Sequence, residues 1–232
     1  MNFLKIRNFK TKLIFRKILP VTKKDEIIIE KSTEYLDVPD VPKRVYEFNP
    51  KMKLILIVIN PVKRAISYFT HRLYRPTGSD ISGYDPDKYD SASQRFEQIL
   101  FDKNGTFSTS RSYFIRGMYV VHYKKWLKYF PKDQILILNG ENFVKNPYEE
   151  IKKVEVFLNL KQFFLKENFI FNKSKGFYCL KNNLNESKVE CLQKDKGRTH
   201  IFVRNEVKAK LNTFFKPYDN ELFELIQQKP FW

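Results

Sequence analysis

The chain has 232 residues and carries 43 Lys and Arg against 26 Asp and Glu, a formal net charge of +17. That length suits one domain with a sizeable core, and 42% hydrophobic residues, with 22 Phe and 13 Tyr, exclude a disordered polycation. The charge favours an anionic partner (nucleic acid, acidic membrane, nucleotide or sulfated polysaccharide) without choosing among them, and no run approaches the ~18 apolar residues of a membrane-spanning helix.

The N-terminus, "MNFLKIRNFKTKLIFRKILPV", is interrupted by cations every few residues and lacks the apolar centre and small-residue cleavage site of a signal peptide. It reads as an element covering the core or as an interfacial amphipathic helix. "DEIIIEKS" (25–32) reads as a short buried strand, and the continuous apolar run "MKLILIVIN" (52–60) as a central parallel strand covered on both faces. Asn60-Pro61 then supplies an N-cap and a first-turn proline, which predicts a helix over 62–74. Residues 76–110 are rich in Gly, Ser, Asp and Tyr and read as an excursion on the binding face, with one amphipathic piece at 91–101.

"SYFIRGMYVVHYKKWLKYF" predicts one long helix, with Ile115, Met118, Tyr119, His122 and Trp126 along its apolar stripe. His122 on that stripe is expected to be a hydrogen-bonded core histidine. "DQILILNG" (133–140) is a second buried strand, and Asn146-Pro147 repeats the helix start, with acids in the first turn that suit the helix dipole. Ile151, Val154 and Leu158 are expected on the core face of that helix. Strand and helix alternate in this way through the middle of the chain, which argues α/β with a parallel sheet.

Cys179 and Cys191 are consistent with two buried thiols. The polar residues between them also suit a disulfide closing a surface loop. Three glycosylation sequons, at Asn104, Asn172 and Asn185, fit a secretory route. Together with the cysteine pair they favour an oxidising compartment. No Walker-type loop, dinucleotide fingerprint or metal spacing of Cys and His is present, and His71, His122 and His200 are too scattered to form a zinc site.

Ligands of open parallel sheets sit beyond the carboxyl ends of the strands. Three polar clusters are candidates for that place: Lys31-Ser32-Thr33, Asn60 to Ser67, and the basic stretch "CLQKDKGRTH" (191–200). Each by itself is more often a cap or a solvated turn than a ligand site; together they suit phosphate or sulfate.

The stretch "NKSKGFYCL…CLQKDKGRTH" closely resembles the C-terminal cofactor loop of heparan sulfate glucosaminyl sulfotransferases, above all the 3-O-sulfotransferases. "IEKSTEYLDVPDVPKRVYEFNP", "NPVKRAISYFTHR", "YVVHYKKWLKYFPKDQILILNGENFVKNP" and "KLNTFFKPYDNELFELI" are also similar to that family. The resemblance covers 19–232, leaving 1–18 as a basic segment of its own. It implies a P-loop-NTPase-like sulfotransferase fold, a central parallel sheet flanked by helices. It also implies 3′-phosphoadenylyl sulfate as donor, no metal, heparan sulfate as acceptor, and residence in the Golgi lumen.

By the same resemblance, Lys196, Gly197, Arg198, Thr199 and His200 match the loop that holds the 3′-phosphate, and Ser67 matches a serine on that phosphate. Tyr178 matches a residue beside the adenosine, and a Cys179–Cys191 link would pre-order the segment. Lys31 matches a catalytic cleft lysine, flanked by Ser32 and Thr33, and His71 and Arg72 fall where the family contacts polysaccharide.

Two departures stand out. Ile59-Asn60-Pro61 is the N-sulfotransferase form of a motif that usually reads Arg-Asp-Pro in the 3-O branch, which keeps N-sulfation as the alternative. The family's Lys-Gly-Gly-Thr-type phosphosulfate loop, and the glutamate general base that follows it, have no match. The 232 residues are therefore expected to be a fragment, the product of an incomplete gene model or a shortened variant, nearly silent in turnover as they stand, with a heparan-sulfate-binding module as the second reading. Nucleic-acid binding would rest on charge alone, without any reader motif.

Overall fold

The computed structural model describes residues 26–32, 35–74, 92–108, 112–181, 189–192 and 199–232. The basic segment 1–18 lies outside them. Helix α1 (Val41–Phe48) leads into strand β1 (Leu54–Val58), and Pro61 opens helix α2 (Pro61–Tyr74). Asn60 caps α2 as its sequence predicts: its Oδ1 accepts the backbone N–H groups of Val62 (2.9 Å) and Lys63 (3.1 Å).

Helices α3 (Ala92–Leu100), α4 (Ser112–Ile115) and α5 (Tyr119–Leu127) follow, then strand β2 (Ile135–Asn139) and helices α6 (Gly140–Lys145) and α7 (Pro147–Leu158). β1 and β2 pair in parallel, in register from Leu54↔Ile135 to Val58↔Asn139. The predicted α/β alternation therefore holds through the middle of the chain. Strands β3 (Phe169–Asn172), β4 (Phe177–Lys181) and β5 (Val189–Glu190) form a separate antiparallel sheet, and the long helix α8 (Asn205–Ile226) closes the chain.

Two apolar clusters hold these elements. One joins Val62, Ala65, Ile66 and Phe69 of α2 to Phe96, Ile99 and Leu100 of α3, and to Val207, Leu211 and Phe215 of α8. The other packs Val58, Ile135 and Ile137 of the sheet against Val120, Tyr123 and Trp126 of α5 and Leu222 of α8. Helix α8 thus enters both. Its 22 residues reach about 33 Å, long enough to span the domain.

The structure corrects four expectations. Residues 26–32 form no strand, and Ile27, Ile28 and Ile29 are exposed. Among the described residues β1 pairs with β2 alone, so this stretch has no ladder to join. Strand β1 is not covered equally on both faces: Ile55 and Ile57 are 38% and 54% exposed, while Val58 is buried. The helix expected over 112–130 breaks into α4 and α5 at Gly117. There a Cβ would lie 2.7 Å from Cε1 of the buried Phe215 ring, so glycine alone admits the contact. On α7 the apolar positions Ile151, Val154 and Leu158 are half-buried, while Glu150 and Glu155 are buried.

Those carboxylates are satisfied. Glu150 accepts from the backbone N–H of Asn139 (3.2 Å), Asn142 Nδ2 (2.7 Å) and Lys153 Nζ (2.7 Å). Glu155 Oε1 accepts from the N–H groups of Phe163 (2.9 Å) and Phe164 (3.0 Å). A buried carboxylate persists only with such donors. His122 behaves as expected of a core histidine: it is 1% exposed, and Nε2 lies 2.6 Å from the Ile115 carbonyl. Burial lowers its pKa below the usual imidazole value.

On the last turns of α8, Asp219 accepts a hydrogen bond from Trp232 Nε1 (2.8 Å), and burial pushes its carboxyl up to about 6. The folded state therefore holds this proton more tightly than the unfolded chain. Stability falls as pH rises through the window from about 4 to about 6, and the penalty is fully present above it. Asp219→Asn keeps an acceptor for Trp232 and removes the charge. It should raise the melting temperature at pH 7.5 and leave it unchanged at pH 4, as read by calorimetry at the two pH values.

Candidate active site

The carboxyl ends of β1 and β2 carry a connected polar network. Asn60 N–H donates to Glu141 Oε1 (3.3 Å), and Lys63 Nζ donates to Glu141 Oε2 (2.6 Å). Asn139, ending β2, caps α6 by accepting from the N–H groups of Glu141 (3.0 Å) and Asn142 (3.1 Å). Gly140 lies between them because a Cβ would meet Ile59 Cγ2 at 2.4 Å and the Val58 carbonyl at 3.0 Å. Both parallel strands thus end in an asparagine that starts a helix, on the side of the sheet where ligands sit.

Behind this network, Tyr119 donates to the Ile59 carbonyl (3.0 Å), and burial raises its hydroxyl to about 12. Arg64 reaches inward to donate to the Tyr113 carbonyl, and burial lowers its pKa. Arg116 pairs with Asp37 (3.0 Å) and lies over the Tyr68 ring. These cations fix α2 against α4 and against the segment at 35–38.

The late basic stretch arrives at α2. The N–H of Ile201 donates to Thr70 Oγ1 (3.3 Å), and that hydroxyl donates to the Ile66 carbonyl (2.8 Å). Ile201 packs on the core and Val203 is buried, so the chain end that follows the stretch is seated firmly. Thr199 and His200 are exposed immediately before this anchor. Ser67, His71 and Arg72 are half-buried on α2, one turn or less from Thr70. The segment directly after the basic stretch therefore meets α2 at Thr70, one turn from Ser67.

Of the third cluster, Lys31 and Ser32 are exposed. Nearby, Tyr35 Oη donates to Glu30 Oε1 (3.1 Å), and burial with the Glu30 charge raises that hydroxyl to about 12. Thr33, Lys196, Gly197 and Arg198 lie outside the described residues.

Cys179, buried in β4, is bonded to Cys191 just beyond β5, with Cα atoms 4.4 Å apart. Of the two readings of the cysteine pair, the structure has the disulfide. Closing so short a loop contributes about 3 kcal/mol in the chain-entropy model. Tyr178 beside it packs edge-on to Phe171 at 5.2 Å. Its ring also lines a groove of about 410 Å³ with Tyr148, Phe169, Asn146, Lys166 and Glu167. Tyr148 and Phe169, missed by sequence reasoning, come from α7 and β3 and meet Tyr178 only through the antiparallel sheet. Among the described residues no His, Cys, Asp and Glu group is arranged to hold a metal ion, and no helix is long and apolar enough to cross a membrane.

Comparison with known proteins identifies the family. The sulfotransferase domain family matches residues 36–229. The chain is similar to mouse heparan sulfate glucosamine 3-O-sulfotransferase 3B1, 34% identical over 213 residues, which cover 91% of this chain and 51% of that protein. It is similar to mouse heparan sulfate glucosamine 3-O-sulfotransferase 5, 34% identical over 94% of this chain and 60% of that one. The human form of the latter is 33% identical over the same shares. The chain thus spans about half to three-fifths of the length of these relatives. A crystal structure of a sulfotransferase from Alicyclobacillus acidocaldarius has the same fold, with a TM-score of 0.52 at 20% identity over 85% of this chain and 64% of that one. With the matched region running from the residues before α1 to those after α8, the chain belongs to the sulfotransferase domain family.

Proposed function

We propose that this protein transfers a sulfuryl group from 3′-phosphoadenylyl sulfate to the 3-hydroxyl of glucosamine residues in heparan sulfate, in the Golgi lumen. The observation that carries the reading is the Ile201–Thr70 hydrogen bond, which seats the end of the basic stretch on the helix bearing Ser67. The names of the relatives supply the acceptor and the position.

In this reading Ser67, Thr199, His200 and the adjoining Lys196, Gly197 and Arg198 hold the donor's 3′-phosphate. Glycine lets backbone N–H groups approach the anion, and arginine binds it as a fork. The groove walled by Tyr148, Phe169 and Tyr178 fits a purine: it offers aromatic faces for stacking and Asn146 as a polar partner. The donor supplies an activated sulfuryl group with a phosphate leaving group. Lys31 neutralises charge in the cleft, Ser32 and Thr33 offer hydroxyls to the acceptor, and His71 and Arg72 meet the polysaccharide. As in phosphoryl transfer, positioning and electrostatic stabilisation carry most of the catalysis. Glu141 is committed to Lys63 and Asn60, so it is not assigned as the base.

Calorimetry with adenosine 3′,5′-bisphosphate and heparan sulfate oligosaccharides, separately and together, tests the binding half of this reading. Both should bind, neither displacing the other, and the oligosaccharide should weaken steeply with salt. Oligosaccharide binding without nucleotide binding would favour a polyanion-binding module instead.

A further inference from the structure

We infer that Asn104 is an N-glycosylation site, modified by an oligosaccharide delivered from a lipid diphosphate carrier. The inference rests on the secretory reading above and adds a covalent site to it. Asn104-Gly105-Thr106 has the acceptor pattern, but sequence alone ranks it no higher than Asn172 or Asn185.

The fold ranks them. Phe101 and Phe107 form an isolated antiparallel bridge, and their rings stack at 4.9 Å, which pinches off the intervening residues as a tight loop. Inside the loop Asp102 Oδ1 accepts the N–H groups of both Asn104 and Thr106, each at 2.9 Å. The Asp102 N–H donates to the Thr106 carbonyl (2.8 Å), and Gly105 takes a φ of 73° that a side chain would resist. The loop's backbone is therefore satisfied by Asp102 and by itself. All three sequon residues are exposed, a Cβ at Gly105 would meet nothing within 4 Å, and among the described residues no hydrogen bond holds the Asn104 amide. A glycan there displaces no contact.

Asn172 is placed differently. It is half-buried at the end of β3, its Oδ1 accepts from Ser174 Oγ (2.7 Å) and Lys175 N–H (3.1 Å), and its Nδ2 lies 3.9 Å from Cys191 Sγ. That amide helps to build the turn beside the disulfide. Asn185 lies outside the described residues. Asn104 is thus the described sequon most open to a large substituent. In the transfer, Asn104 Nδ2 bonds to the anomeric carbon of the sugar and loses one proton. The bond from that carbon to the carrier's diphosphate oxygen breaks, and the lipid diphosphate leaves.

The test is to express the chain behind a cleavable secretion leader in cultured animal cells, as wild type, Asn104→Gln, Thr106→Val and Thr106→Ser. Wild type and Thr106→Ser should each carry one more glycan than Asn104→Gln and Thr106→Val, seen as a mobility step abolished by peptide N-glycosidase. That enzyme should leave aspartate at position 104 in the wild-type peptide. Blocked thiols at Cys179 and Cys191 report passage through an oxidising lumen. Oxidised wild-type protein with unmodified Asn104 would overturn the inference. Expression from the protein's own transcript, without the added leader, separates the two claims: free thiols and no glycan there would overturn the secretory reading while the leader-driven result still judges the site.

Discussion

Arg198→Ala is expected to lower affinity for adenosine 3′,5′-bisphosphate by about 10- to 100-fold while leaving heparin affinity nearly unchanged. The number follows from losing a charge-assisted hydrogen bond to phosphate, worth about 1.5–3 kcal/mol. The selectivity follows from the different demands of the ligands. A polyanion draws on many of the 43 Lys and Arg, so one fewer is a small loss. In the proposed site a nucleotide 3′-phosphate would be held by a few groups, with Ser67, Thr199 and His200 among those in the described residues. Calorimetry on both ligands decides it. Small, equal losses on both would make the stretch a solvated turn that happens to end on α2.

The largest stability effect is expected at Phe215. Its ring is 1% exposed and packs on Phe114 at 6.1 Å and Phe214 at 5.0 Å. It also fills the space that Gly117 leaves open. Phe215→Ala should cost about 3–5 kcal/mol by lost transfer energy and an unfilled cavity. Denaturant melts should show a lower midpoint with an unchanged slope. Because Phe215 ties α8 to the break between α4 and α5, its loss should also loosen the seat of residues 199–201, which leads directly into α8. Weaker nucleotide binding in Phe215→Ala, at temperatures where the variant is still folded, would follow.

Much of the central architecture can be read locally. Asn60-Pro61 is a helix start in any context, because the cap and the proline act within one turn, and α2 begins there. The apolar runs at 54–58 and 135–139 announce strands without help from neighbours, although β1 is less buried than its composition implies. The isoleucines at 27–29 carry the same composition and form no strand, since a strand exists only with a partner and composition does not supply one. The antiparallel sheet was missed although its signal is present: Gly176, at a φ of 70°, sits at the turn between "FIFN" and "FYCLK". The break at Gly117 also had a visible glycine, but the reason no larger residue fits there is the Phe215 ring nearly a hundred positions away.

Glu150 and Glu155 on the inner side of α7 could not be read from periodicity. Apart from Lys153 on the same helix, their donors come from β2, α6 and the 163–164 segment, which the tertiary fold brings near. At the site, residue types pointed to anion binding, and the resemblance gave them individual roles. The meeting of the 199–201 segment with α2 through Thr70 was visible in neither. A threonine hydroxyl bonded within its own helix gives no sign that it will also receive a chain end 131 positions later.

The most direct test of the central claim is disaccharide analysis of heparan sulfate from cells that lack 3-O-sulfation and express this protein from its complete transcript. New glucosamine units sulfated at the 3-oxygen are expected, with N-sulfation unchanged, and that product should be lost in Arg198→Ala. New sulfate on glucosamine nitrogen would contradict the assigned position, and heparan sulfate unaltered by a stably expressed protein would contradict the assigned reaction.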